Sequence, residues 1–494
     1  MKMPSSNSQK VLKGISSQTI VTLVLGIVEI GSFSIMSRLL TKEDFGYYAA
    51  ITAIAAVFSA LSETGIGSAI VQRKDLTKKY IDNAFSLSLI IGFILMFALI
   101  LCSGPMARAV VDEKLQIPLM LVSVTLLMHC LSSVNLSLMQ RKLQFFRMGL
   151  INLISLVLTT VVAVILALRG LGFYAILTKA VLTSFLTLVI SYFLAGTRFR
   201  LAFDLVTIKA IFSFSGWGML GVLFRNFAQQ ADKLLMSQLL SVAALGSYNR
   251  PKEFISQISS KLNGVFDSAL FPVLSTVQDN KQSLGNAYKK SLFYMNLFSL
   301  VLCSLFVFNA TLIVRVFFGE EWLNLVPVFQ VLSIALIFNV DGRLADCYLR
   351  SLALTKQQFY FRVFETVMKI IGLVIGARYE LMGVAWSVLI TDFIMICLKM
   401  AYIAGKIEVP CLVALRMVLK AWRMAIFCVP IFVCAIYYIP NTWLGNVIFA
   451  ILFVIILFLF FAFFPNVVGS MYKENVYPRI LCKFKQLNPF ESRK

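Results

Sequence analysis

The chain has 494 residues, of which 59% are hydrophobic and only 14% charged, a balance that excludes a water-soluble globular protein. A formal net charge of +22 would suggest nucleic acid in a soluble protein. Here the basic residues sit mostly in short hydrophilic loops between apolar runs, so membrane topology accounts for them and no nucleic-acid partner is expected. Nine cysteines show no paired metal-type spacing, and Cys102, Cys130, Cys303, Cys397 and Cys428 lie inside apolar runs as small hydrophobes. No disulfide framework, metal or other cofactor is expected.

The apolar material falls in runs of about 20 residues, the length of a membrane-spanning helix. In chain order the spans centre near Val24, Ile54, Phe93, Leu126, Leu156, Leu182, Val222, Gln257, Leu300, Leu336, Leu373, Ile390, Phe432 and Val454. The fold class expected is all-α: a polytopic membrane protein with about 14 transmembrane helices. The polar N-terminus leads into a long segment containing Glu29, too long and too polar for a cleaved signal, so an uncleaved first span is expected. An even span count puts both termini on one side. Thirty of the 45 Lys and Arg then fall on that side, including Arg362 and Lys399, and seven on the other. This asymmetry predicts cytoplasmic termini.

The chain also repeats itself. Ser37-Arg38-Leu39-Leu40-Thr41 runs into Phe45-Gly46, and Ser237-Gln238-Leu239-Leu240-Ser241 runs into Leu245-Gly246, in ungapped register. Ser68-Ala69-Ile70 matches Ser268-Ala269-Leu270, and fainter echoes link Gln144-Phe145 with Gln358-Phe359 and Gly172 with Gly383. Both copies begin on the cytoplasmic side, so the repeat is parallel. The expected plan is an N-terminal lobe of six spans (1–195), a cytoplasmic linker (196–209), a C-terminal lobe of six spans (210–410), and two extra spans with a basic tail (411–494). A repeat of this kind marks a transporter with its substrate site between two homologous lobes.

Eight basic residues fall inside spans: Lys179, Arg225, Lys233, Arg250, Lys252, Lys261, Arg343 and Lys369. Charge at membrane depth is costly and faces a cavity or a partner. Helical spacing groups Arg225, Gln229 and Asp232 on one face; Arg250, Glu253, Gln257 and Lys261 on another; and Asn339, Arg343, Asp346 and Arg350 on a third. The cavity so predicted is net basic, with Arg225, Lys233, Arg250, Lys252, Lys261 and Arg343 set against Asp232, Glu253, Asp341 and Asp346. It suits an anion, which Arg grips in a bidentate manner. A competing reading has Arg250 and Lys252 snorkel to the outer interface, and Lys233 simply pair with Asp232. Lys179 and Lys369 are read as within reach of an interface and stand outside the site. Glu29 is either an ion-linked switch or an inter-lobe hydrogen-bonding residue, and Asp232 and Glu253 are the other acids that could take such roles. His129, the sole histidine, reads as a packed residue. No nucleophile-and-base constellation is present, so no catalytic residue is assigned.

Phe45-Gly46 followed by Leu61-Ser62-Glu63-Thr64-Gly65-Ile66-Gly67-Ser68-Ala69-Ile70-Val71-Gln72-Arg73-Lys74 resembles the N-terminal signature of bacterial polysaccharide exporters. Gly246-Ser247-Tyr248-Asn249, Phe271-Pro272, Val277-Gln278-Asp279 and Val316-Phe317-Phe318-Gly319-Glu320-Glu321-Trp322 extend the resemblance over essentially the whole chain, closest to the colanic-acid-exporter-like branch. The resemblance implies a flippase of the multidrug/oligosaccharidyl-lipid/polysaccharide superfamily in the bacterial inner membrane. Such a protein moves a polyprenyl-diphosphate-linked oligosaccharide between leaflets by alternating access, for capsule, exopolysaccharide or O-antigen synthesis. The implied partners are the lipid-linked oligosaccharide, the membrane and other polysaccharide-assembly proteins, with a monomer expected. The rivals are a multidrug exporter of the same superfamily, a polysaccharide polymerase or ligase, and a scaffolding protein. The extra spans and basic cavity argue against the first, and the short outside loops against the second. A scaffold would have no reason to bury so many bases.

Overall fold

A computed structural model describes residues 21–422, apart from 22–23, 63–65, 74, 111–112, 198, 205–225, 228, 278–279 and 353. The described residues form helices joined by short turns, with no strand among them. In chain order these are α1 (residues 24–39), α2 (Lys42–Ser62), α3 (Ile66–Gln72), α4 (Lys78–Val110), α5 (Gln116–Arg141), α6 (Phe145–Leu168), α7 (Phe173–Ala195), α8 (residues 229–239), α9 (Val242–Val277), α10 (Lys281–Phe308), α11 (Ala310–Ile313), α12 (Val326–Ser351), α13 (Thr355–Gly376), α14 (Glu380–Lys406) and α15 (residues 411–422). Every expected span centre from Val24 to Leu182 and from Gln257 to Ile390 lies in one of these helices. Val222, Phe432 and Val454 lie outside the described residues. Eight segments among the described residues are long and apolar enough to cross a membrane, the last of them the α13–α14 pair. This is a multi-pass membrane protein. The 36-residue α9 is not among the eight, because its charges lower its hydropathy.

The repeat seen in the sequence is also a repeat of local structure. α1 and α8 end at residues 39 and 239, and α2 and α9 begin at Lys42 and Val242. The new helix is capped in the same way each time. The Thr41 hydroxyl accepts from the Asp44 N–H at 3.2 Å, and the Ser241 hydroxyl from the Ala244 N–H at 3.1 Å. Four residues into each helix stands a glycine. A Cβ on Gly46 would strike the Val242 carbonyl, and one on Gly246 the Lys42 carbonyl. The two helix starts therefore approach backbone to backbone, a contact that only glycine permits.

Two compact units are distinguished: Met1–Asn249 with Phe317–Gly319, and Arg250–Val316 with Glu320–Lys494. In the first, α4 packs on α5, α5 and α6 on α7, and α2 on α4, α5 and α7. Ile66, Ile70, Tyr80, Leu87, Val134 and Leu138 form a core cluster there. Arg141 holds the end of α3 against α5, its Nη1 donating to the Ile70 carbonyl at 2.9 Å. Residues 199–204 run back along α4. The N–H groups of Arg200, Ala202 and Asp204 donate to Asp82 Oδ1 (3.1 Å), Ser86 Oγ (2.9 Å) and Asn83 Oδ1 (2.6 Å), and Phe199 stacks on Phe85 at 4.3 Å. In the second unit α12 packs on α10, α13 and α14, and α13 on α14.

Candidate functional site

The predicted site residues are placed unevenly. Arg225 lies outside the described residues, and Lys261 sits in α9 with its side chain outside the described set. In the first unit, Glu29, Asp232 and Lys233 are half-buried, and the Lys233 N–H donates to Asp232 Oδ1 at 2.9 Å. In the second, Arg250 is only 7% exposed and its guanidinium faces Glu253 at 3.5 Å. Arg250 thus packs against Glu253 of its own stripe. Lys252, two residues along, is half-buried, and its charge is felt by Lys369 of α13 and Asp392 of α14. Arg343 on α12 is exposed, eight residues from the helix end, about 12 Å at the helical rise. Among the described residues it makes no ion pair.

The second unit also carries a charged seam that the sequence reading did not assemble. Lys399 is not in a loop, as expected, but inside α14 and 4% exposed. Its Nζ donates to Glu365 Oε2 at 3.0 Å and faces Asp346 Oδ1 at 3.5 Å. Arg362, also expected in a loop, lies in α13 and faces Asp346 at 3.6 Å. Lys369, set aside as an interface residue, bridges Glu365 at 2.8 Å and Asp392 at 3.1 Å. Asn339 closes the seam by donating to Asp392 at 3.2 Å. Three bases meet three acids over about 10 Å of helix, because each helix supplies charges a turn or two apart. Arg362, Glu365 and Lys369 stand at i, i+3, i+7; Asp392 and Lys399 stand at i, i+7. That spacing is legible in the sequence. The predicted stripe on α12 is therefore divided. Asn339 and Asp346 turn to α13 and α14, while Arg343 and Arg350 remain exposed.

Asp341, expected in the basic cavity, instead points into the second unit, 4% exposed. It stands 200° from Asn339 around α12, at 100° per residue, and so faces away from the seam. Asn296 of α10 donates to its Oδ1 at 2.8 Å, and Trp422 Nε1 donates to the Asn296 oxygen at 3.3 Å. In the first unit, Lys179 also turns inward, its ammonium on Ser32 of α1, with Thr160 donating to the same hydroxyl at 3.2 Å. His129 faces Ser184 Oγ at 3.3 Å.

Residues 35–327 match a family described as polysaccharide biosynthesis protein. The chain belongs to that family. It is 24% identical to the lipopolysaccharide biosynthesis protein WzxC of Escherichia coli (strain K12) over 73% of each chain. It is 23% identical to the teichuronic acid biosynthesis protein TuaB of Bacillus subtilis (strain 168), over 68% of this chain and 70% of that one. Among solved structures, the lipid II flippase MurJ in an inward closed conformation superposes with a TM-score of 0.70 at 14% identity, covering 90% of this chain and 98% of that one. An inward-facing multidrug resistance transporter of the MATE family superposes at 0.64 and 15% identity, covering 79% and 98%. The fold is thus shared by a lipid flippase and a drug transporter and does not by itself separate the two activities.

Proposed function

We propose that the chain is a flippase for polyprenyl-diphosphate-linked oligosaccharide, moving repeat units across the bacterial inner membrane by alternating access of two six-helix lobes, with two extra C-terminal spans and both termini in the cytoplasm. It acts as a transporter in surface-polysaccharide synthesis, and no catalytic residue is assigned. The observation that carries the substrate class is Arg343, a base exposed at depth in a membrane helix while the acids around it on α12–α14 are already paired. A positive group so placed lowers its cost by meeting an anion. A diphosphate offers that charge, and a cationic drug does not. In this reading Arg225, Lys261, Arg250, Lys252 and Lys233 are the further bases that would meet the substrate's charge, and Glu29, Asp232 and Glu253 are candidate polar switches.

The test is purified protein in liposomes with a fluorescent lipid-linked oligosaccharide in one leaflet. Gln or Met replacements of Arg225, Lys261 and Arg343 together are expected to slow flipping at least tenfold while gel filtration stays unchanged. Wild-type flipping by that triple variant would refute the site, and wild-type transport of a cationic dye without flipping would favour the drug-exporter reading.

A further inference from the structure

Most charges on the described second-unit helices have a charged neighbour, but Asp341 has none. Its only hydrogen bond among the described residues is from Asn296 Nδ2, at 2.8 Å. The amide is fixed in that orientation. Its oxygen accepts from Trp422, and its second N–H donates to the Leu292 carbonyl at 3.0 Å. Asn296 is 0% exposed and has nothing further to give. One carboxyl oxygen of Asp341 is therefore an acceptor, and the other has no hydrogen-bond donor among the described residues. A carboxylate 4% exposed and held by one amide with no cation among the described residues is costly, whereas a carboxylic acid there is not.

The titratable groups that face Asp341 are few. Tyr288 of α10 stands beside it, with a buried hydroxyl that has no hydrogen-bond partner among the described residues. Tyr348 of α12 packs edge-on against Tyr288 at 4.9 Å and shares a 3.4 Å hydrogen bond with Ser291. Cys411 precedes Trp422 on α15 and lies near Tyr288. On α13 and α14, Glu365, Lys369, Asp392 and Lys399 pair with one another and with Asp346 on the far side of α12. Glu320 and Glu321 lie beyond the opposite end of α12, where Glu320 faces Arg315 at 3.6 Å.

We propose that Asp341 is a proton-binding site, taking one proton from water and returning it, and that each exchange changes how α10, α12 and α15 pack. On uptake an O–H bond of hydronium breaks and one forms on the carboxyl oxygen. On release the reverse occurs, and no electrons are transferred. Ionised Asp341 would demand a second donor, which the locked Asn296 cannot supply, so deprotonation forces the Asn296–Trp422 chain to move. What the proton drives rests on the flippase reading; that Asp341 binds a proton does not.

The test uses the full chain in liposomes of zwitterionic lipid. Infrared difference spectra across a pH jump are expected to show a protonated-carboxyl band that is lost in Asp341→Asn and kept, shifted, in Asp341→Glu. In the flipping assay an imposed proton gradient is expected to stimulate wild type and Asp341→Glu. Asp341→Asn should run at the gradient-free rate. A carboxyl band unchanged in Asp341→Asn, or an undiminished gradient response in that variant, overturns the proposal. If wild type moves no oligosaccharide, the flippase reading falls alone and the infrared band still decides for or against Asp341.

Discussion

Replacing Lys399 with Met tests whether the α12–α14 seam acts as one charge-balanced unit. The substitution keeps the stem and deletes the ammonium that holds Glu365 at 3.0 Å and Asp346 at 3.5 Å. Removing one partner from a fully buried ion pair costs about 3–5 kcal/mol, because the other charge is left uncompensated. Here Glu365 keeps Lys369 and Asp346 keeps Arg362, and those two carboxylates are 25% and 21% exposed, so a cost below that range, about 2–3 kcal/mol, is expected. The seam goes from balance to one excess negative charge. Adding Glu365→Gln restores balance, so the double variant should recover about 1–2 kcal/mol relative to the sum of the single variants. The assay is thermal unfolding of purified protein in detergent, followed by tryptophan fluorescence, with Lys399→Met expected to melt roughly 2–6 °C low. Strict additivity of the two substitutions would refute the shared seam.

Gly246→Ala drives a methyl into the Lys42 carbonyl, so it should lower expression of folded protein and melt low by several degrees, as should Gly46→Ala; full stability of either would mean that the helix starts are not in backbone contact. Asn83→Leu removes the acceptor for the Asp204 N–H, worth about 0.5–1.5 kcal/mol, so trypsin cleavage at Arg200 should quicken roughly two- to tenfold, and an unchanged rate would argue against docking of residues 199–204. Arg343→Gln should leave the melting temperature within about 1–2 °C, because exposed substitutions stay within roughly ±0.5 kcal/mol, while raising the substrate concentration needed for half-maximal flipping; a large stability loss would place Arg343 inside the fold.

Apolar run length made the helices legible, and the 200-residue register located the elbows at 40–41 and 240–241. Charge assignment failed at Lys399, because a cytoplasmic helix end was drawn too early: α14 runs on to Lys406, and the lysine is inside it. It failed at Asp341 for a different reason. Asp341 and Arg343 are only two residues apart, yet two residues on a helix point in nearly opposite directions. A window that counts both as members of one cavity cannot see that one faces the interior of the unit. The docking of residues 199–204 was hidden because it depends on Asp82, Asn83 and Ser86, three polar residues at the start of α4 that look like ordinary loop-proximal positions until their backbone partners are known.

The two copies of the repeat differ in what joins their later helices. The Gln144/Gln358 and Gly172/Gly383 echoes set α6–α7 and α13–α14 in corresponding places of the two halves. In the first pair the cross-helix contacts are hydroxyl to hydroxyl: Thr183 donates to Thr159 at 3.0 Å and Thr187 to Ser155 at 3.5 Å. In the second they are ionic: Lys369 with Asp392 at 3.1 Å and Lys399 with Glu365 at 3.0 Å. Hydroxyl contacts between membrane helices contribute about 0.6 kcal/mol each and carry no charge that must be balanced. Ion pairs fix the positions of several side chains at once, and each becomes a liability when one member is lost. One scaffold thus holds an N-terminal helix pair bound by weak, interchangeable contacts and a C-terminal pair bound by charges that must stay balanced. Arg343 beside the second pair is exposed and makes no ion pair among the described residues, so the seam's own acids do not neutralise it; on the function proposed above, that is the base an anionic substrate would meet.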